Sequence, residues 1–139
     1  RPRGRSAGHV PAVNQQAEGL LIELTLPWAP SVNHYWVHGQ GRTYISKEGR
    51  RFREAVMWEC KARRVKPQPG RLAVSIRAYP PDRRRRDLDN LNKSVLDALE
   101  HAGAYVNDSQ IDDLRIYRGP MIEGGALHVQ ISPIAPAQP

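Results

Sequence analysis

The chain has 139 residues, one cysteine (Cys60) and a formal net charge of +7, from 21 Lys and Arg against 14 Asp and Glu. This length suits a single compact domain that buries most of its unfolded-state surface, so no disulfide framework or structural zinc is required, and one cysteine can build neither. No apolar run approaches the roughly 20 residues of a membrane span, no signal peptide is visible, and the cysteine usage points to a reducing, cytoplasmic setting.

Residues 1–18, "RPRGRSAGHVPAVNQQAE", show no periodicity and read as a disordered N-terminal extension. They hold three arginines and one glutamate, so 18 cationic and 13 acidic side chains remain beyond them and the basicity belongs to the folded part. Such a surface releases counterions on meeting a phosphate backbone, which puts nucleic acid first among partners. Ribosomal and membrane-surface roles fit the same charge.

One domain is expected over residues 19–133, with a flexible tail over 134–139. "GLLIELTLP" reads as a first strand ending at Pro27. "PWAPSVNHYWVHGQGRTYIS" reads as a loop punctuated by Pro and Gly, with "RTYIS" forming a short strand after the Gly39–Gly41 turn. Ser46 is placed to cap a helix running to about Lys61, whose Phe52, Val56 and Cys60 fall on one face as core residues. Pro67, Pro69 and Gly70 separate it from "RLAVSIRAYP", where Leu72, Val74 and Ile76 alternate as in a strand. A second helix carries an apolar stripe of Leu88, Leu91, Val95, Leu99 and Ala102, with Gly103 placed to end it. "DDLRIYRGP" and "ALHVQISP", separated by "MIEGG", read as an antiparallel pair. The order β-(β)-α-β-α-β-β predicts an α/β fold, a mixed parallel and antiparallel sheet of about four main strands with two helices packed on it. A right-handed crossover would make the first two main strands parallel neighbours if they pair.

The chemistry concentrates in "RRRRDLDNLNKSVLDALEHAG". Arg83, Arg84, Arg85 and Arg86 attract polyanions, whereas Asp87 and Asp89 directly after them repel them. At about 100° per residue, Asp89, Lys93 and Asp97 stack along the polar face of the helix. Asp108 follows in "YVNDSQIDD", where a loop could return it to the same helix end. Converging carboxylates raise one another's pKa, and a hard divalent cation, Mg²⁺ or Mn²⁺, relieves the repulsion. That ion would bridge the carboxylates to a phosphate held by the arginines, with Lys93 stabilising transition-state charge. Two plainer readings stand beside this one: Asp89 as a helix N-cap and the arginine run as a solvated loop. Asp97, Asp112 and Asp113 are expected to be surface charge.

In these segments the sequence resembles the RusA family of Holliday junction resolvases. "PPDRRRRDLDNLNKSVLDALEHAG" followed by "VNDSQIDD" matches the family's central motif, "LTLPWAPSVNHYW" and "GRTYISKEGRRFREAV" its N-terminal segments, and "EGGALHVQI" its final strand. The resemblance covers about residues 20–132. It implies Asp87, Asp89 and Asp108 as metal-binding aspartates and Lys93 as a catalytic lysine. Asn107 departs from close relatives that carry a second acid beside Asp108. The resemblance further implies a bacterial or phage-associated, homodimeric, Mg²⁺-dependent endonuclease that recognises four-way DNA junctions and nicks two opposed strands. The rival classes are a non-catalytic nucleic-acid-binding protein and a metal-dependent nuclease of broader specificity.

Other features call for a reading. His34 and His38 have a zinc-like spacing but sit in a Pro- and Gly-rich loop without the Glu of the zinc-protease motif, so zinc is not expected. Trp28, Tyr35 and Trp36 suit base stacking or core packing. Arg50, Arg51, Arg53, Lys61, Arg63 and Arg64 form a second basic stretch expected to position phosphates.

Overall fold

The computed structural model describes residues 21–135. The elements are β1 (Ile22–Leu26), a single-turn α1 (Val32–Tyr35), β2 (Trp36–Gly39), β3 (Arg42–Ile45), α2 (Lys47–Ala62), β4 (Leu72–Tyr79), α3 (Asp89–His101), a 3₁₀ turn (Asp108–Gln110), β5 (Ile111–Arg118) and β6 (Ala126–Pro133). The extension expected over residues 1–18 and the last four residues of the expected tail lie outside the described residues. Ile134 is tied down, its N–H donating to Arg71 O at 2.9 Å.

Strand order in the main sheet is β1-β6-β4-β5. The β1–β6 and β6–β4 pairs are antiparallel and β4–β5 is parallel. The mixed α/β sheet expected from the sequence is therefore present, but two pairings differ. Strands β5 and β6 are not partners, because β4 lies between them; β1 and β4 are likewise separated, by β6. The cause is burial. Leu72, Val74, Ile76 and Ala78 are all buried, which places β4 inside the sheet, while β5 leaves Leu114 and Tyr117 exposed and takes an edge. The β5–β6 connection crosses the C-terminal end of β4, where Gly119 N–H donates to Ala78 O at 2.8 Å and Ile122 N–H to Pro80 O at 3.0 Å. Gly119 is required there, since a Cβ would lie 2.7 Å from the Tyr79 ring.

The helices form as their sequence signals predict. Ser46 caps α2, its Oγ accepting from Gly49 N–H at 2.9 Å. Phe52, Val56 and Cys60 of α2 and Leu91, Val95 and Leu99 of α3 are buried against Leu24, Val74, Ile76, Val129 and Ile131 of the sheet. Each such side chain contributes roughly 1.5–3 kcal/mol of transfer free energy. Leu88 and Ala102 pack at the margins of that core. Gly103, at φ +83°, ends α3 with its N–H on Glu100 O at 3.0 Å. Strand β2, read as loop from the sequence, pairs with β3 across the turn at Gln40 and Gly41, both at positive φ.

Helix α3 is the crossover between the parallel strands β4 and β5. It starts beyond the C-terminal end of β4 and runs back towards the start of β4. There Gln68 N–H donates to Ala104 O at 3.0 Å, and Gln110 Nε2 donates to Gln68 O and Gly70 O at 2.8 Å each. The two ends of α3 thus lie at opposite ends of the strands.

Candidate active site

Asp87 and Asp89 flank the start of α3. Leu88 occupies the cap position, no side chain caps the helix, and Asp89 is the first helical residue. Asn90 N–H reaches Asp87 O at 3.2 Å and Leu91 N–H reaches Leu88 O at 3.0 Å, so backbone carbonyls close the first turn. The capping explanation for Asp89 is therefore not realised, although a carboxylate here still meets the positive end of the helix dipole. Asp87, Asp89 and Lys93 are all exposed. Among the described residues none of the three joins an ion pair.

Asp108 is elsewhere. It opens the 3₁₀ turn, where Asn107 Oδ1 accepts from Ser109 N–H at 2.8 Å and Gln110 completes a capping box. Asp108 N–H donates to Glu100 Oε1 at 2.9 Å, which fixes it to the last turn of α3. Asp89 and Glu100 are eleven residues apart on α3, which is about 16 Å at 1.5 Å per residue. The loop does not return Asp108 to the Asp87–Asp89 end, contrary to the sequence reading. Among the described residues no three His, Cys, Asp or Glu side chains gather closely enough to hold a metal ion.

Beside Asp87 lies a cleft of about 670 Å³, bounded by Trp28 to Ser31, His34 and Glu48 on one side and by Arg84 to Asp87, Asn90 and Leu91 on the other. Arg86 is not free within it. Its guanidinium pairs with Asp82 at 2.5 and 3.1 Å and packs over the Trp28 ring at 5.7 Å. Asp82 also accepts from Arg84 N–H at 2.9 Å. The Arg86 hydrogen bond, then that backbone N–H, hold the Asp82 carboxyl far below the usual carboxylate range. Arg83 and Arg85 are exposed, and the exposed Arg84 reaches Asp82 Oδ2 from Nη2 at 3.3 Å. Arg50 and Arg51 are exposed on the first turns of α2. Arg50 Nη1 donates to Ile45 O at 3.2 Å, and Arg51 lines a shallower depression that shares Trp28 and Glu48 with the cleft.

Two expectations are overturned behind the cleft. Asp97 is not surface charge, and Arg53 is not a free phosphate contact. Arg53 donates to Asp97 Oδ2 from Nε at 3.0 Å and Nη2 at 2.8 Å, and the Tyr35 hydroxyl donates to the same oxygen. Arg53 Nε also reaches the Tyr35 hydroxyl at 3.0 Å. The Tyr35 ring is fully buried, and burial first, then the Asp97 hydrogen bond, push its pKa well above the ordinary phenol value. No local pattern marks this cluster, since its members are 18 to 62 residues apart. Asp112 and Asp113 do lie at the surface, paired with Arg71 and Arg115. His34 Nδ1 hydrogen-bonds Ser31 at the start of α1 and His38 Nδ1 hydrogen-bonds Thr43 across the β2–β3 ribbon, each at 2.9 Å, so one ring nitrogen of each has a local partner.

Comparison with known proteins gives a consistent result. Residues 27–132 match the family model described as endodeoxyribonuclease RusA. The chain is 42% identical over 112 residues to a crossover junction endodeoxyribonuclease of Enterobacteria phage 82, covering 78% of this chain and 92% of that protein. The corresponding protein of Shigella sonnei (strain Ss046) has the same identity and coverage. That of Escherichia coli (strain K12) is 41% identical over 112 residues, again with 78% and 92% covered.

Proposed function

Since the chain belongs to the RusA family of endodeoxyribonucleases, we propose that it is a Mg²⁺-dependent, structure-selective endonuclease. It binds four-way branched DNA as a homodimer and nicks two opposed strands, in DNA recombination and repair. The observation that carries this reading is the state of Asp87 and Asp89. Two exposed carboxylates stand beside an arginine-lined cleft, neither caps the helix, and among the described residues neither pairs with a cation. A non-catalytic DNA-binding protein would gain nothing from two such charges facing phosphate.

The donor chemistry suits a hard cation, because carboxylate oxygens are the preferred ligands of Mg²⁺ and Mn²⁺. Asp87 and Asp89 would hold it, and when bound it supplies phosphate polarisation and a hydroxide nucleophile. The remaining work belongs to the chain. Arg83 to Arg86 hold the backbone, with Asp82 and Trp28 fixing Arg86 beside Asp87. Arg50 and Arg51 extend the basic surface along α2. Lys93, one turn beyond Asp89, supplies positive charge to meet the negative charge that develops on the non-bridging oxygens.

Asp108 supports the dimer. One chain cannot bring it to Asp87 and Asp89, because α3 stands between them. A two-fold pair supplies a second Asp108 in the reversed orientation, so three carboxylates meet only if each site draws on both subunits. The apolar residues Ala29 and Tyr35 are buried in the chain's own core. The outer edges of β1 and β5 remain for association.

The deciding experiment incubates the protein with a synthetic four-way junction and a matching linear duplex, with and without Mg²⁺. Paired nicks in the junction alone, dependent on the cation, support the reading. Equal cutting of both substrates favours a broader nuclease, and binding without cutting in Mg²⁺ or Mn²⁺ rejects catalysis.

A further inference from the structure

Lys93 stands between two carboxylates at helix-neighbour spacing, Asp89 four residues before it and Asp97 four after it. Residues so placed face one another on a helix surface and pair when their charges are opposite. The two candidates pull the ammonium in opposite directions. Asp89 draws it towards the helix start and the cleft, while Asp97 draws it about one turn, roughly 5.4 Å, the other way. Among the described residues Lys93 pairs with neither. Asp97 is already committed, with Arg53 and the Tyr35 hydroxyl sharing its Oδ2.

We propose that Arg53, braced by Tyr35, is a positioning residue for Lys93: by engaging Asp97 it removes the competing carboxylate and leaves the ammonium to the cleft end of α3. The inference rests on the reading of Lys93 as the charge that meets the scissile phosphate. The bracing is built into the fold. Arg53 is held between ring faces, its guanidinium 5.8 Å from the centroids of both Tyr35 and Trp36. Tyr35 is fully buried, and its carbonyl accepts from Ser46 N–H at 2.9 Å, which locks α1 to the start of α2. Two nitrogens and a hydroxyl on one carboxylate oxygen offset that charge locally.

The test compares the wild-type chain with Arg53→Met, Asp97→Asn and the double variant. Single-turnover junction cleavage, junction binding and thermal melting are measured for each, together with carbodiimide coupling in the absence of DNA. Carbodiimide joins an adjacent amine and carboxylate as an amide with loss of one water, so a Lys93–Asp97 lactam reports their contact independently of activity. Expected are a lactam in Arg53→Met and none in the wild type. Cleavage by Arg53→Met should slow roughly tenfold at unchanged junction affinity, and the double variant should recover most of the rate while melting no higher than Arg53→Met. A double variant as slow as Arg53→Met, or equal lactam yields with and without Arg53, overturns the proposal. Should Arg53→Met not fold, Arg53→Lys with and without Asp97→Asn is read by the same two criteria. A wild-type chain that cuts no junction rejects the enzymatic reading instead, and the lactam contrast then decides the Asp97 contact alone.

Discussion

Asp108 and Glu100 are joined by a 2.9 Å hydrogen bond from the Asp108 N–H to Glu100 Oε1, which fastens Asp108 to the end of α3 opposite Asp89. The first prediction follows from that contact. Mixed dimers of an Asp89→Asn subunit with an Asp108→Asn subunit should regain cleavage of one strand per binding event. If each site takes Asp87 and Asp89 from one subunit and Asp108 from the other, one of the two sites in the mixture is wholly intact. Sites built within single chains would leave both impaired. Strand-specific nick mapping of tagged, co-purified heterodimers decides between them.

Replacing Asp87 or Asp89 by Asn should separate binding from chemistry. Even outer partners of metal ligands cost about 10–100-fold when lost, so the loss of a ligand should lower cleavage beyond that range. Junction affinity should hold or rise, because a negative charge facing phosphate is gone. Chelation of divalent cations should reproduce both effects in the wild type. Cutting at the wild-type rate by both variants would remove these residues from the site.

The arginines should divide by their surroundings. Arg83 and Arg85 are exposed, so Arg83→Ala/Arg85→Ala should flatten the dependence of log K on log salt by about 0.9 per lost phosphate contact. Arg86 is anchored by Asp82 and Trp28. Asp82→Ala should therefore disturb cleavage more than the salt slope, and a slope change equal to that of the double variant would contradict the anchoring role.

Cys60 gives a pH signature of the core. Burial pushes its thiol from 9.0 up to about 11. The unfolded chain thus loses this proton first as pH rises, so stability is full below pH 9 and declines towards pH 11. A shift of that size sets an upper bound of about 3 kcal/mol. Urea unfolding at pH 8 and pH 10.5 should show a smaller loss for Cys60→Ala than for wild type, although the variant starts less stable. Equal losses would mean that the thiol does not titrate differently in the two states.

The parts legible in the sequence were those written locally. Ser46 three residues before Gly49 announces the start of α2, and the stripe from Leu88 to Ala102 with Gly103 after it specifies α3. Pairing was less legible, because a strand's neighbour depends on which face the rest of the chain covers. "DDLRIYRGP" and "ALHVQISP" suggest a hairpin until β4, buried along one whole face, enters between them. The Arg53–Asp97 pair joins residues 44 apart and has no signature at either end. The position of Asp108 was recoverable in principle, since a helix linking parallel strands must carry its two ends to opposite ends of those strands.

The β2–β3 hairpin stands apart from the main sheet as a two-stranded ribbon, with Val37, His38, Thr43 and Tyr44 exposed. Its base is pinched where Ser46 N–H meets Tyr35 O at 2.9 Å and Ser46 Oγ meets His34 O at 2.6 Å. An isolated two-stranded ribbon is marginally stable in water, so its amide hydrogens should exchange with solvent well before those of β4 and β6. The pinch confines that breathing to the outer ribbon and leaves α1 and α2 in place. Residues inserted between Gln40 and Gly41 would therefore lengthen a finger without moving the palm, which makes this tip the natural place for a fluorescent label that leaves the fold undisturbed.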